Sequence, residues 1–598
     1  MKPCDYQHVR LTDGFARKKQ LLNERVTIDA IYQQFSDTGR FRAFNFNWRE
    51  GMPEQPHIFW DSDIAKWFEA AAYSLNNHQD EALQDKMEAV IDQIEKFQGH
   101  DGYFNIWFTV VEPAKRFSNR TQHELYCAGH LMEAAVAYAE VTGRERFLHL
   151  MEKYALYIRK VFIEEDSAKF RSPGHEEIEL ALVKMYRYTG KKVYLDMAAH
   201  FINMRGSEED IDKSEYNQSH LPVREQKEAV GHSVRAMYLY IAMADLALEL
   251  QDEELKKACR TLFESVTKEK MYVTGGIGSC YIGETFSKPY DLPNAEAYTE
   301  TCAGIGLLFF CDRLLRLENR AEYADVMERL FYNGILSGLS LDGKHFFYEN
   351  PLEITLQDHF KGSLGEKRYP ITQRPEVFRC SCCPPNVSRL LASIQGYVYG
   401  LEEDVLFVNQ FTGSILDQDN VKAEMKTDYP VDGRVALSVS GVKKAAIRIP
   451  DWCDRFTIGK SYELRDGYAY VEVDHEGDCI DISFDMTPFA VQANRKITRD
   501  ANRYCIQAGP VVYCAEEVDN GENLQSIRLE KDFTWNATYE EAYGLNCFDI
   551  SAFRTGVEGP IYGKAKGNDE VPVTLHLIPY YAFANRGESD MLVWFNRK

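Results

Sequence analysis

Gly129-His130-Leu131-Met132-Glu133-Ala134-Ala135 opens a mostly apolar stretch that runs to Thr142-Gly143. Gly174-His175-Glu176-Glu177-Ile178-Glu179-Leu180 opens a second, up to Thr189-Gly190, and Gly231-His232-Ser233-Val234-Arg235-Ala236-Met237 opens a third. Each reads as a Gly-His start followed by a helix apolar on nearly every side. The first two end at a Thr-Gly stop and are followed by a more amphipathic segment. A helix apolar all round is an inner one, and its amphipathic neighbour faces solvent. Repeated inner–outer hairpins predict a toroid of helix pairs, and the number of pairs before residue 400 fits closure into an (α/α)₆ barrel.

Outward from these repeats, Asp63 to Asn76 carries Ile64, Trp67, Phe68 and Ala71 at helical spacing. Asp80 to Phe97 does so with Leu83, Met87, Val90, Ile91 and Ile94,. Thr299 to Leu317 and Asn386 to Val398 read as further inner helices. Past Leu401 the texture changes to short runs rich in β-branched and aromatic residues, such as Val405 to Phe411, Val435 to Val439 and Tyr468 to Val473. Asp432-Gly433 and Asp466-Gly467 supply the turns between them,. The expected organisation is multidomain α plus β: a helical barrel over 1–400, a β-sandwich over 401–500, and a second sandwich or its continuation over 501–598.

Composition narrows the partners. The 598 residues carry a net charge of −23 at pH 7, which argues against nucleic acid and against an anionic membrane surface,. No stretch reaches the length of a membrane span and no leader precedes the first helix, so the chain reads as cytoplasmic. Fourteen cysteines are too sparse for a disulfide scaffold and are expected as thiols,. The 35 Tyr and 7 Trp suit a carbohydrate ligand without requiring one.

The chemistry concentrates at Cys380-Ser381-Cys382-Cys383-Pro384-Pro385-Asn386 and at Glu300-Thr301-Cys302. Pro384 and Pro385 suit the first turn of a helix, which puts Cys382 and Cys383 at its start, where amide dipoles favour thiolates. Three thiols and a carboxylate match a four-coordinate zinc site. The alternative is a set of ordinary buried cysteines. If all inner helices run the same way, His130, His175 and His232 lie at one rim beside these pairs. A histidine at a helix start is equally at home as a cap.

These motifs resemble glycoside hydrolase family 127, the zinc-dependent β-L-arabinofuranosidases. The resemblance spans essentially the whole chain and includes Thr274-Gly275-Gly276-Ile277-Gly278-Ser279, Phe346-Phe347-Tyr348-Glu349-Asn350-Pro351-Leu352 and Ile578-Pro579-Tyr580-Tyr581. It implies an (α/α)₆ barrel with β-sandwich accessory domains and exo-hydrolysis with retention at the anomeric carbon. It makes Glu300, Cys302, Cys382 and Cys383 the Zn²⁺ ligands, Cys382 the nucleophile and Glu284 the general acid/base. It places His175, His232, Tyr348 and His130 against substrate, with His123 competing for the last role, and Gln33 as a further contact. From the residues alone, Glu284 reads equally as a solvated loop carboxylate. As an acid it is expected to titrate above an ordinary glutamate.

Competing functions are a hydrolase of another rare pentose-derived sugar, a carbohydrate-binding protein with a structural zinc, and an unsaturated-uronide hydrolase or sugar epimerase on the same architecture. A redox thiol protein lacks the surrounding βαβ pattern. The expected partner is a small oligosaccharide or glycoside, with a homodimer through the β domains as an option.

Overall fold

The computed structural model describes residues 1–359, 368–377, 380–474, 476–556, 561–562, 564 and 570–598. Its first half is a set of helix pairs. Trp60–Asn77 packs on Glu124–Thr142, which packs on Ile178–Thr189, then Ser233–Leu250, Thr301–Leu317 and Cys383–Ala392 in turn. The last of these packs back on Trp60–Asn77. Sequence explains which helices form this inner set. Every residue from Glu124 to Ala139 and from Ser233 to Ala247 is buried, whereas Glu81–Phe97, which follows Trp60–Asn77, buries only Met87, Val90, Ile91 and Ile94. The outer partners Glu81–Phe97, Arg146–Arg159, Lys192–Met204, Glu253–Glu269 and Ala321–Arg329 each follow an inner helix in the chain. Ile28–Asp37 covers the seam between Trp60–Asn77 and Cys383–Ala392.

The Thr-Gly stops act as expected: Gly143 and Gly190 end their helices in the left-handed conformation at φ +68° and +69°,. The first Gly-His start does not. The helix begins at Glu124, capped by His123, so His130 lies in its second turn. Gly129 is helical, and its role is close approach: a Cβ there would stand 2.7 Å from Glu177 Cγ and 2.8 Å from the Ile178 amide.

Beyond residue 398 the described residues form three sheets. One six-stranded sheet orders as Lys2–Pro3, Tyr399–Glu402, Val405–Val408, Lys444–Arg448, Tyr468–Glu472 and Tyr462–Arg465. The other six-stranded sheet runs Phe456–Ile458, Asp478–Phe484, Arg434–Ser440, Val421–Thr427, Ser414–Gln418 and Val9–Leu11. The first eleven residues, read as helical from sequence, are thus edge strands of both. Val9 and Leu11 are buried with Arg10 exposed between them, a period-two signal too short to read in isolation,. A ten-stranded sheet begins with Phe489–Val491 and ends with Glu353–Ile354, a two-residue strand sent out from the helical part to pair with Met591–Leu592. The organisation is multidomain α plus β. No helix is long and apolar enough to cross a membrane among the described residues.

Candidate active site

A cavity of about 760 Å³ opens where the inner helices begin. Phe59, His123, His232, Glu300 and Cys382 cap five of the six inner helices, and all five line it. His175, two residues before the cap of the sixth helix, lines it too. Helix N-termini carry partial positive charge, so the shared end of the ring favours anions.

Glu300, Cys302, Cys382 and Cys383 meet here, their donor atoms all within 4.8 Å of one another. Cys302 Sγ lies 3.3 Å from Cys383 Sγ, and Cys382 Sγ lies 3.8 Å from Cys383 Sγ. Glu300 Oε1 is 3.7 Å from Cys382 Sγ and 3.9 Å from Cys383 Sγ. A tetrahedral ion with metal–sulfur bonds of about 2.3 Å sets edges near 3.8 Å, so the four donors fit a metal. A second observation agrees: Glu300 Oε2 is buried without a hydrogen-bond partner. Burial pushes the Cys302 and Cys383 thiols well up. Cys382 is held well below the thiol range by the S–H groups of Cys302, Cys380 and Cys383. It is only partly buried, where Cys302 and Cys383 are fully so, and the Tyr348 hydroxyl lies 3.4 Å from its sulfur.

Glu284 faces this cluster from the turn Ile282–Glu284, its backbone left-handed at φ +57°. Its carboxylate accepts a hydrogen bond from the Tyr298 hydroxyl at 2.8 Å, and its other oxygen lies 2.7 Å from His232 Nε2. His232 caps its helix: Nδ1 accepts from the amides of Val234 at 3.2 Å and Arg235 at 3.5 Å. Burial lowers its basicity, so a single ring proton sits on Nε2 and points at Glu284,. Burial raises the Glu284 carboxyl, yet the His232 and Tyr298 contacts outweigh it and hold the group below the ordinary value. The expectation of a raised glutamate does not describe this state, because sequence gives no sign of two donors converging on the carboxylate.

His123 and His175 meet with their rings tilted by 57° and their centroids 5.3 Å apart, and burial and Arg235 hold both well below the usual imidazole range. His175 Nδ1 lies 2.9 Å from the Glu176 carbonyl, leaving Nε2 toward the cavity as a neutral acceptor. Tyr348 completes the wall. Two expected residues are elsewhere. His130 is buried, with Nδ1 3.0 Å from Glu177, and does not line the cavity, because its helix starts a turn and a half earlier than the glycine implied; His123 takes the place. Gln33 is exposed on Ile28–Asp37 and bonds to Asp37 at 3.0 Å. The reading from sequence missed Tyr126, Arg235, Glu349 and Arg368 on the cavity wall. Arg235, three residues after His232, is the one a helix-start argument had within reach.

Comparison with known proteins identifies the family of the chain. The profile described as "Beta-L-arabinofuranosidase, GH127 catalytic domain" matches residues 8–396, and the GH127 middle and C-terminal domain profiles match 405–486 and 488–596. A non-reducing end β-L-arabinofuranosidase of Bifidobacterium longum subsp. longum is 36% identical, over 96% of this chain and 95% of its own. The crystal structure of Ara127N-Se, a GH127 β-L-arabinofuranosidase from Geobacillus stearothermophilus T6, superposes with a TM-score of 0.93 at 40% identity, covering 99% of this chain and all of that one. A second solved GH127 β-arabinofuranosidase gives 0.90 at 34% identity, covering all of this chain and 98% of its own. The chain belongs to glycoside hydrolase family 127.

Proposed function

We propose that this chain is a retaining exo-glycosidase that releases L-arabinose from β-L-arabinofuranosides, with Cys382 as nucleophile and Glu284 as acid/base. The observation that carries the reading is the partly exposed Cys382 sulfur, 3.7 Å from Glu300 and opening on a cavity that Glu284 also lines, with a Glu284 carboxylate oxygen within 4.8 Å of one of Glu300. The named activity of the Bifidobacterium and Geobacillus relatives supports the sugar.

Glu300, Cys302, Cys382 and Cys383 would hold zinc, the metal that a three-thiolate, one-carboxylate set selects. When bound, zinc would keep the thiols deprotonated at neutral pH. Cys382 attacks the anomeric carbon, and the leaving oxygen takes a proton from Glu284. In the second step Glu284 takes a proton from water, whose oxygen attacks the anomeric carbon from the face the leaving group vacated, opposite the C–S bond, and expels the Cys382 sulfur, so the original configuration is restored. His123, His175, His232 and Tyr348 orient the ring hydroxyls as neutral partners. A sugar hydroxyl that claims the His232 N–H removes the strongest group lowering Glu284, and burial then raises the carboxyl toward its acid form,.

We read the closed set of inner helices as an (α/α)₆ barrel over 1–400 and the sheets as β-sandwich domains over 401–500 and 501–598. Fourteen cysteines, all free among themselves, support a cytoplasmic enzyme acting on short oligosaccharides, with a homodimer through the β domains as the simplest assembly,.

The test is release of p-nitrophenol from p-nitrophenyl β-L-arabinofuranoside. Cys382→Ser is expected to lose activity on the order of a thousandfold or more, and chelator-treated enzyme to lose it until zinc is restored. Undiminished turnover by Cys382→Ser would overturn the mechanism. The second reading, a sugar-binding protein with a structural metal, predicts binding of arabinofuranosides without release.

A further inference from the structure

Tyr281 and Glu284 are the first and last residues of one tight loop. Reciprocal backbone hydrogen bonds between Cys280 and Thr285, at 3.1 and 3.0 Å, close it, and the Glu284 amide donates to the Tyr281 carbonyl at 3.1 Å. Gly283 and Glu284 both take the left-handed backbone, at φ +70° and +57°. The turn sends the Glu284 carboxylate inward to His232 and Tyr298, and it leaves Tyr281 46% and Ile282 80% exposed. Both side chains still line the cavity. Adjacent exposed apolar surface at the mouth of a polar cavity marks a place that a ligand covers.

Tyrosine rings form a trail from the sulfur to that mouth. The Tyr348 hydroxyl is 3.4 Å from Cys382 Sγ, the Tyr348 and Tyr298 centroids are 6.1 Å apart, and Tyr298 and Tyr281 are again 6.1 Å apart. Midway, Tyr298 donates to Glu284. At the outer end the Arg368 guanidinium lies 3.7 Å from the centre of the Tyr281 ring. It covers one face, so the exposed part of the ring is the opposite face and the edge. Both terminal nitrogens of Arg368 donate to the buried Glu349, one of them at 2.8 Å. That pairing fixes the guanidinium on the ring and matches its charge. A guanidinium so paired has little to offer a second anion, whereas its remaining N–H groups suit neutral hydroxyls. A flat apolar face beside neutral donors complements a sugar ring, which carries C–H groups on its face and hydroxyls at its edge.

We propose that Tyr281 and Arg368 form the platform for the leaving group, selecting substrates whose aglycone is a second sugar ring. The inference rests on the glycosidase reading with Glu284 as acid. The leaving oxygen must come within hydrogen-bond reach of Glu284 to take its proton, and it departs from the side opposite the attacking sulfur. The aglycone therefore lies against the loop that carries Glu284, away from Cys382. Because Tyr281 and Glu284 are tied together in that loop, a ring stacked on Tyr281 holds its glycosidic oxygen at the acid.

The test compares full-length wild type, Tyr281→Ala, Tyr281→Phe and Arg368→Leu on two kinds of substrate: methyl β-L-arabinofuranoside, and the β-L-arabinofuranosyl-arabinose disaccharides of every linkage. Both kinds have poor leaving groups that need the acid, and only the second brings a ring to the platform. Wild type is expected to use its best disaccharide with a kcat/KM about tenfold or more above the methyl glycoside. Tyr281→Ala is expected to remove about tenfold of that preference and Arg368→Leu about threefold or more, while Tyr281→Phe keeps it within about twofold. An equal loss on both substrates in Tyr281→Ala would assign the residue to shaping the Glu284 loop and overturn the proposal, as would a wild type with no preference for the disaccharide. If Tyr281→Ala does not fold, Arg368→Leu decides: a reduced preference supports the platform, and an undiminished one sinks it. A wild type that hydrolyses neither substrate refutes the glycosidase reading on which the proposal stands, a result distinct from a lost preference.

Discussion

His232 spends one ring nitrogen on the amides of Val234 and Arg235 and the other on Glu284. If Glu284 is the acid proposed above, that division makes a helix cap into a control on it. His232→Leu should raise the Glu284 carboxyl, because burial then acts with one fewer opposing donor. An acid that must be protonated then stays competent to higher pH. The alkaline limb of the kcat/KM profile is expected to move up in pH, while kcat/KM itself falls by about 10²-fold; a limb that stays in place would disconnect His232 from Glu284. At this scale the sequence was uneven to read. Cys382-Cys383-Pro384-Pro385 and Glu300-x-Cys302 announce themselves through residue type, since few structural needs call for them. Glu284 is legible only by family resemblance. Tyr126 and Arg235 are invisible, because a buried charge in a sequence looks like any solvated one until its neighbours are known.

At the scale of the helix, the inner elements were readable and their starts were not. Burial all round follows from composition, as in Ser233–Leu250, and a Thr-Gly stop follows from backbone freedom. Gly129 looked like a start because glycine does two jobs, turn-making and close packing, and only tertiary contact tells them apart. The start of Trp60–Asn77 carries a prediction of its own. Burial raises Asp61 from its ordinary value to about 7, with Oδ1 accepting from the Ile106 amide at 3.0 Å and Oδ2 unpartnered. A carboxyl raised on folding stabilises below its unfolded value, and that contribution is lost as pH rises through about 7,. Asp61→Asn keeps the acceptor and never ionises. Its stability relative to wild type should therefore grow by roughly 2 kcal/mol between pH 5 and 8, read from thermal or urea unfolding. A gap that does not change with pH would show that Asp61 is not the titrating group.

Across the whole molecule, a buried ion cluster joins the helical part to the sheets. Arg448, fully buried on strand Lys444–Arg448, reaches Asp325 at 2.6 Å and Glu328 at 2.5 Å, both on the helix Ala321–Arg329. Tyr429 and Trp452 also donate to Glu328, at 2.6 and 3.1 Å. Arg448→Met leaves two carboxylates without their cation and is expected to cost about 3–5 kcal/mol, seen as a lower melting temperature. A melt equal to wild type would mean the cluster contributes no net stability. This junction and the N-terminal edge strands were beyond sequence reading, because each joins segments 120 or more residues apart through two or three residues. The central claim is the covalent role of Cys382, and it has a direct test. Glu284→Gln cannot activate water, so with an aryl β-L-arabinofuranoside, whose leaving group needs little acid help, the glycosylated enzyme should accumulate. Intact-protein mass spectrometry is expected to show a chain heavier by one pentosyl unit, with peptide mapping assigning the increment to Cys382. An increment on another residue, or aryl release with no adduct at any time, would contradict the account.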